Sequence, residues 1–182
     1  MTDQTPIVDI GELAEVQPRL DSQLIATFGQ AASVCLDRHH VPPIFLTVVE
    51  DEYRNEAELK WNPSTDAAKR SWGQQNDTVE WGAVGVMLAF LGTARGLIAT
   101  RRAQRGSGAD YYVAPPDGAV EDLEGVVRLE ISGVDRGERI EIEQRLKRKV
   151  QQLRDGETNS PGIAVVVGFG AKSVFLATLE PE

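Results

Sequence analysis

Two acidic residues stand where β-strands are expected. Asp110 follows the turn Arg105-Gly106-Ser107-Gly108 and opens the strand-like run Ala109 to Ala114. Glu130 lies inside a second run, Val126 to Val134, in the segment Arg128-Leu129-Glu130-Ile131-Ser132. If the two runs pair as an antiparallel hairpin, both carboxylates can face one side of the sheet. An acid within an apolar strand is costly unless something satisfies it. Two carboxylates held close together repel unless a divalent cation or a shared proton joins them.

A basic group is placed to meet them. In the helical pattern from Glu138 to Asp155, Ile142, Leu146, Val150 and Leu153 form an apolar stripe. At about 100° per residue Lys149 falls inside that stripe, with Arg145 and Gln152 on its flank. A lysine on a core-facing stripe needs a partner or a route to water. Plainer readings stand beside these. Asp110 can serve turn chemistry, Glu130 can pair with Arg128 or Lys149 as a simple ion pair, and Ser132 before Gly133 can be a turn residue. Lys149 can reach past the stripe to solvent.

The elements that must position these residues follow from periodicity and punctuation. A helical pattern runs from Asp9 to Arg38, broken near Pro18, with Asp21 as N-cap for its second part; Pro42-Pro43 ends it. Ile44–Val49 and Ala57–Trp61 read as a hairpin around a polar turn, Glu50 to Asn55, and Thr65 to Asn76 as a loop with a short helical piece. Asp77-Thr78-Val79-Glu80 has capping-box chemistry and starts a helix that is apolar nearly all round, stopped at Gly96. Such a helix is covered on more than one side. Strand signals follow at Leu97–Ala103, Ala109–Ala114 and Val126–Val134, with a loop from Pro115 to Gly125 before the third. After the helix from Glu138 come the near-continuous apolar run Ile163–Phe169 and a last strand, Ser173–Leu179. The expected architecture is an α/β domain with a layered mixed sheet and helices on both faces. One domain, 1–182, is expected, with a core over 77–182 and an N-terminal helix and β-hairpin over 9–76.

Composition sets bounds on function. The 182 residues are 41% hydrophobic and 26% charged, an ordinary globular balance. The formal net charge of -9 disfavours non-specific nucleic-acid binding by bulk charge. A nucleic-acid contact would need a local basic face, for which Arg101, Arg102, Arg105, Arg145, Lys147, Arg148 and Lys149 are candidates. The single cysteine, Cys35, excludes an internal disulfide, and with His39 and His40 it offers no zinc spacing. A reducing, cytoplasmic setting is expected, with no signal peptide and no membrane span, since the longest apolar stretch, Gly82 to Gly92, is short.

The order helix, three-strand meander with Asp on the second strand and Glu on the third, helix, buried strand resembles the PD-(D/E)XK, or restriction-endonuclease-like, nuclease core (α-β-β-β-α-β) over about residues 77 to 180. The resemblance implies that Glu80, Asp110 and Glu130 hold Mg²⁺ or Mn²⁺ and that a lysine assists the attacking water. The family places that lysine two residues after the Glu. Here that position is Ser132, and Lys149 on the following helix is the substitute. Glu80, Asp110, Glu130 and Lys149 are then the expected catalytic set, with Ser132, Arg145 and Gln152 as auxiliaries. The implied activity is a metal-dependent nuclease or phosphodiesterase. The alternative is a catalytically inactive nuclease-like module whose acidic surface meets a protein partner. A third is another kind of α/β domain in which the acids meet by coincidence.

Overall fold

The computed structural model describes residues 5–118, 125–157 and 159–181. Much of the expected loop between Pro115 and Gly125, and one residue of the turn between Gly156 and Pro161, lie outside the described residues. The chain order is β1 (Ile7–Asp9), a 3-10 turn (Ile10–Glu12), α1 (Leu13–Val16), α2 (Ser22–Asp37), β2 (Ile44–Glu50), β3 (Tyr53–Lys60), α3 (Asp66–Ser71) and α4 (Gln75–Arg95). It continues with β4 (Ile98–Arg102), β5 (Tyr111–Ala114), β6 (Val127–Val134), α5 (Arg139–Arg154), β7 (Gly162–Gly168) and β8 (Ser173–Leu179).

The eight described strands form one mixed sheet in the order β1-β3-β2-β8-β7-β6-β5-β4. β4, β5 and β6 are an antiparallel meander. The helix α5 then carries the chain across so that β7 lies parallel to β6. β8 returns antiparallel to β7, and β2 lies parallel to β8. The N-terminal hairpin therefore extends the same sheet.

Side chains alternate between the two faces of each strand. On one face Leu129, Ile131, Ile163, Val165, Leu46 and Val48 pack with α2 and α4 into the main core. On the other, Val49, Val166 and Phe175 meet Ile142 of α5. α4 lies between α2 and the sheet, which is why twelve of its residues, from Thr78 to Leu91, are buried despite the polar first turn. Gly85 permits the close approach of α2: a Cβ there would sit 2.6 Å from the Phe28 carbonyl oxygen. β7, buried along its whole length, is the central strand that its apolar run suggests.

Helix ends follow local chemistry. Asp21 caps α2, its side chain accepting from the Gln23 and Leu24 amides. Gly96 ends α4 at φ 61°. The capping box expected at Asp77-Thr78-Val79-Glu80 does not form, because α4 begins earlier, at Gln75. Thr78 is instead inside the helix, its hydroxyl donating to the Gln74 and Trp72 carbonyls. The capping box lies on α5, between Glu138 and Glu141. The hairpin turn is also tighter than expected: β2 runs to Glu50 and β3 starts at Tyr53, with Asp51 at φ 52°. The N-terminal segment, read as helical from Asp9, contributes a short edge strand and a 3-10 turn before its helices.

Among the described residues no helix is long and apolar enough to cross a membrane.

Candidate active site

One face of β6 carries Arg128, Glu130 and Ser132 in succession, and each is tied to α5. Arg128 Nη1 donates to the Leu153 carbonyl at 2.7 Å. Lys149 Nζ lies 2.5 Å from Glu130 Oε1. Arg145 Nη1 donates to Ser132 Oγ at 3.2 Å and to the Gly133 carbonyl at 3.1 Å. The spacing explains the ladder. Two residues of strand advance about 6.6 Å and four residues of helix about 6 Å, so residues 128, 130 and 132 keep step with 153, 149 and 145 on the helix running back over them. The register of α5 on β6 thus delivers Lys149 to Glu130.

Asp110 reaches the same face from the next strand. Tyr111 is opposite Leu129 and Tyr112 opposite Arg128, so the following step sets Asp110 against Glu130. Its backbone N–H donates to the Leu129 carbonyl at 2.8 Å, and its Oδ2 accepts from the Ile131 amide at 2.9 Å. The carboxylate therefore takes over the ladder just before β5 begins.

Electrostatically, Glu130 is the singular group. It is 1% exposed. Oε1 has Lys149; Oε2 is buried with no hydrogen-bond partner. Burial, then the charge of Asp110, push its carboxyl up to about 7, while the hydrogen bond and charge of Lys149 act in the opposite direction. The carboxyl–carboxyl contact with Asp110 adds to the rise. Gln152 completes the group: its Oε1 accepts from Lys149 Nζ at 3.2 Å.

Of the residues singled out in the sequence, Asp110, Glu130, Lys149 and Gln152 meet, and Ser132 and Arg145 form the adjoining rung. Glu80 does not join the acid pair. It is exposed on α4, on the rim of a cleft it shares with Ser132, Arg145 and Lys149. Because α4 starts at Gln75, the first-turn position expected for Glu80 belongs to residues before it. Among the described residues no group of three His, Cys, Asp or Glu side chains is disposed to hold a metal ion. Two carboxylates, one of them with an orphaned buried oxygen, still suit a hard cation, since Mg²⁺ is commonly bound through one or two carboxylates plus waters and substrate oxygens.

Arg128, one of the two expected partners of Glu130, does not pair with it. It is buried, and its guanidinium donates to the carbonyls of Ser107, Leu153 and Ser160. Burial lowers its pKa. Those bonds clamp the turn before Asp110 to the end of α5 and so help fix Asp110. His39 and Asp135 form a separate anchor. His39 Nε2 donates to Asp135 Oδ1 at 3.0 Å, and Gln75 Nε2 donates to Oδ2 at 2.6 Å. Burial alone would raise the Asp135 pKa; these hydrogen bonds, with the charges of His39 and Arg38, hold it below the usual range. His39 thus ties the end of β6 to the segment after α2, a long-range pairing that no local pattern signals. Cys35 is buried, its thiol pushed up to about 12 mainly by burial, so it is a core residue without thiolate chemistry.

Two clefts flank the acid pair. One, of about 690 Å³, lies between the β4–β5 turn and the C-terminal half of α5 and has Asp110 in its wall. The other, of about 730 Å³, opens between α4 and α5 over Ser132 and Lys149. Arg148 borders both.

Compared with protein-family models, with curated proteins and with solved structures, the chain matches none.

Proposed function

We propose that this protein is a metal-dependent phosphodiesterase acting on nucleic acid, of the PD-(D/E)XK type, with Asp110 and Glu130 as its acidic pair and Lys149 as its basic group. The restriction-endonuclease-like core is part of the same proposal. It is supported by the meander β4–β5–β6, the crossover helix α5 and the parallel strand β7, in that order. The observation that carries the reading is the buried Glu130 carboxylate, which has Lys149 on one oxygen, no protein donor on the other, and the Asp110 carboxyl in contact with it. A fold gains no stability from a lone buried carboxylate oxygen, and perturbed acids of this kind cluster at functional sites.

Asp110 and Glu130 would hold Mg²⁺ or Mn²⁺, which when bound lowers the pKa of a coordinated water and offsets phosphate charge. Glu130 binds such a cation through its ionised form, so its carboxyl is poised near neutral pH. Lys149 keeps an ammonium at the acid pair, oriented by Gln152, where it can stabilise negative charge developing on a phosphoryl oxygen. Arg145 holds Ser132 and the end of β6, and thereby the backbone next to Glu130. Glu80 borders the neighbouring cleft and has no part in holding the cation.

Cleavage of single- and double-stranded DNA and RNA with added Mg²⁺ or Mn²⁺ tests this reading. The wild type should cleave at least one of them, EDTA should stop it, and Glu130→Ala should abolish it. Metal-dependent cleavage that survives Glu130→Ala would remove the assignment.

A second reading is a nuclease-like module that binds a protein partner without catalysis. Glu80 standing apart from the acid pair, and Ser132 in the family's lysine position, favour it. It expects no cleavage and no cation-dependent rise in Tm, with a co-purifying protein.

A further inference from the structure

The two clefts beside the acid pair differ in what their cationic groups already do. In the cleft between α4 and α5, Lys149 is paired with Glu130 and Arg145 is bonded to Ser132 and Gly133. Its other cations are Arg136 and Arg148, and three acids, Glu80, Asp135 and Glu141, share its walls with these four. In the cleft beside Asp110, the guanidinium groups of Arg102, Arg105 and Arg148 make no hydrogen bond or ion pair among the described residues. All three are exposed. The acids lining it are Asp110 and Asp155. Asp110 accepts from the Ile131 amide, and Asp155 lies at the C-terminus of α5, where it accepts from Gln151 at 2.7 Å.

This cleft is also firmly built. Arg128 clamps the turn at Ser107 to Leu153 and Ser160. Gly108 and Gly156 bring the turn into backbone contact with the end of α5. Two unpartnered arginines, Arg102 at the end of β4 and Arg105 on the β4–β5 turn, therefore stand across from a third on α5. In a chain of net charge -9, a fixed cleft with three unengaged guanidinium groups has one obvious complement, a ligand bearing several phosphates. Arg101 is not part of it: its guanidinium lies over the Tyr112 ring, 5.5 Å from the centroid.

We propose that a phosphodiester chain approaches the acid pair through the cleft of Arg102, Arg105 and Arg148, and not through the cleft between α4 and α5. This rests on the nuclease reading for its purpose, but binding can be measured without catalysis. Arg102 and Arg105 take backbone phosphates on the Asp110 side. Arg148, at the border of both clefts, holds the chain where it passes the acids.

The experiment is fluorescence anisotropy of a labelled oligonucleotide, as single strand and as duplex, in EDTA over a salt series. Each phosphate contact removed lowers the slope of log K against log salt by about 0.7 for a single strand and about 0.9 for a duplex. Arg102→Ala/Arg105→Ala should therefore reduce the slope by about 1.4 or about 1.8 on whichever form binds. Its Tm should be unchanged, since neither guanidinium has a partner in the protein. Arg136→Ala, which removes a cation of the other cleft, should leave the slope as it is. No binding of either form by the wild type, an unchanged slope in the double variant, or an equal loss in Arg136→Ala would each overturn the proposal. Arginine-dependent binding without any metal-dependent cleavage would keep it and remove the nuclease reading; cleavage with an unchanged slope would do the reverse.

Discussion

Glu130→Gln is expected to make the metal-free protein more stable near pH 8, by about 3 kcal/mol, and to leave its stability near pH 3 almost unchanged. The carboxyl rises from an ordinary 4.5 to about 7 in the folded protein, because burial and Asp110 outweigh Lys149. The acid is therefore neutral in both the folded and unfolded states at low pH, and there it costs nothing electrostatically. As pH passes 4.5 the unfolded chain releases its proton while the folded chain retains it. Stability falls with rising pH until the folded group ionises near 7, and the loss is then constant. Each pH unit of that interval is worth about 1.4 kcal/mol, which sets the figure of about 3 kcal/mol. Glutamine keeps the shape, carries no charge, and its amide can donate to Asp110. Urea denaturation at several pH values reads the effect directly. The variant should lack the decline between about pH 4 and about pH 7 that the wild type shows. A decline of equal size in both proteins would place the titrating group elsewhere. A stabilising loss of a buried acid is the behaviour expected of a residue retained for function.

Gly108→Ala should be strongly destabilising, by about 3 kcal/mol or more. Two effects add. Gly108 has φ 70°, a left-handed conformation that costs an L-residue about 1–2 kcal/mol. Its Cβ would also stand 2.3 Å from the Gln152 carbonyl oxygen, a backbone atom that cannot swing aside. Relieving that clash must separate the turn from α5, at a further cost of about 1–3 kcal/mol. Gly96→Ala separates the two effects. Gly96 has a similar φ of 61°, and a Cβ there meets nothing within 4 Å. It should cost about 1 kcal/mol. Equal losses in the two variants would mean that the turn is not held against the helix as described. Because Asp110 lies two residues beyond Gly108, the same substitution should weaken any cation-dependent rise in Tm.

The acid pair was legible because it depends on local information. A Gly-Ser-Gly turn and two β-prone runs set Asp110 and Glu130 on paired strands. The apolar stripe of α5 fixed the direction of Lys149: Ile142 and Leu153 are buried, and Leu146 is packed beside them. The positions of Arg145 and Gln152 follow from the same stripe. Other features were hidden because they depend on contacts distant in sequence. Pairing of β2 with β8 joins Thr47 to Ser173, which no local pattern encodes. β1 has three residues and draws its hydrogen bonds from β3. The metal role of Glu80 was implied by the resemblance, and its capping role rested on a helix start at Asp77. The added turn from Gln75, with Thr78 turned back onto Gln74 and Trp72, left Glu80 on an exposed face. Arg128 has the right spacing to pair with Glu130, but the carbonyls at the end of α5 and at Ser107 and Ser160 are nearer to its guanidinium.

Titration of metal-free protein with Mn²⁺ near pH 8, followed by calorimetry, tests the acid pair most directly. Wild type should bind the cation, and Asp110→Asn and Glu130→Gln should each abolish the heat. No binding by the wild type, or binding that persists undiminished in both variants, would contradict a cation site built on Asp110 and Glu130.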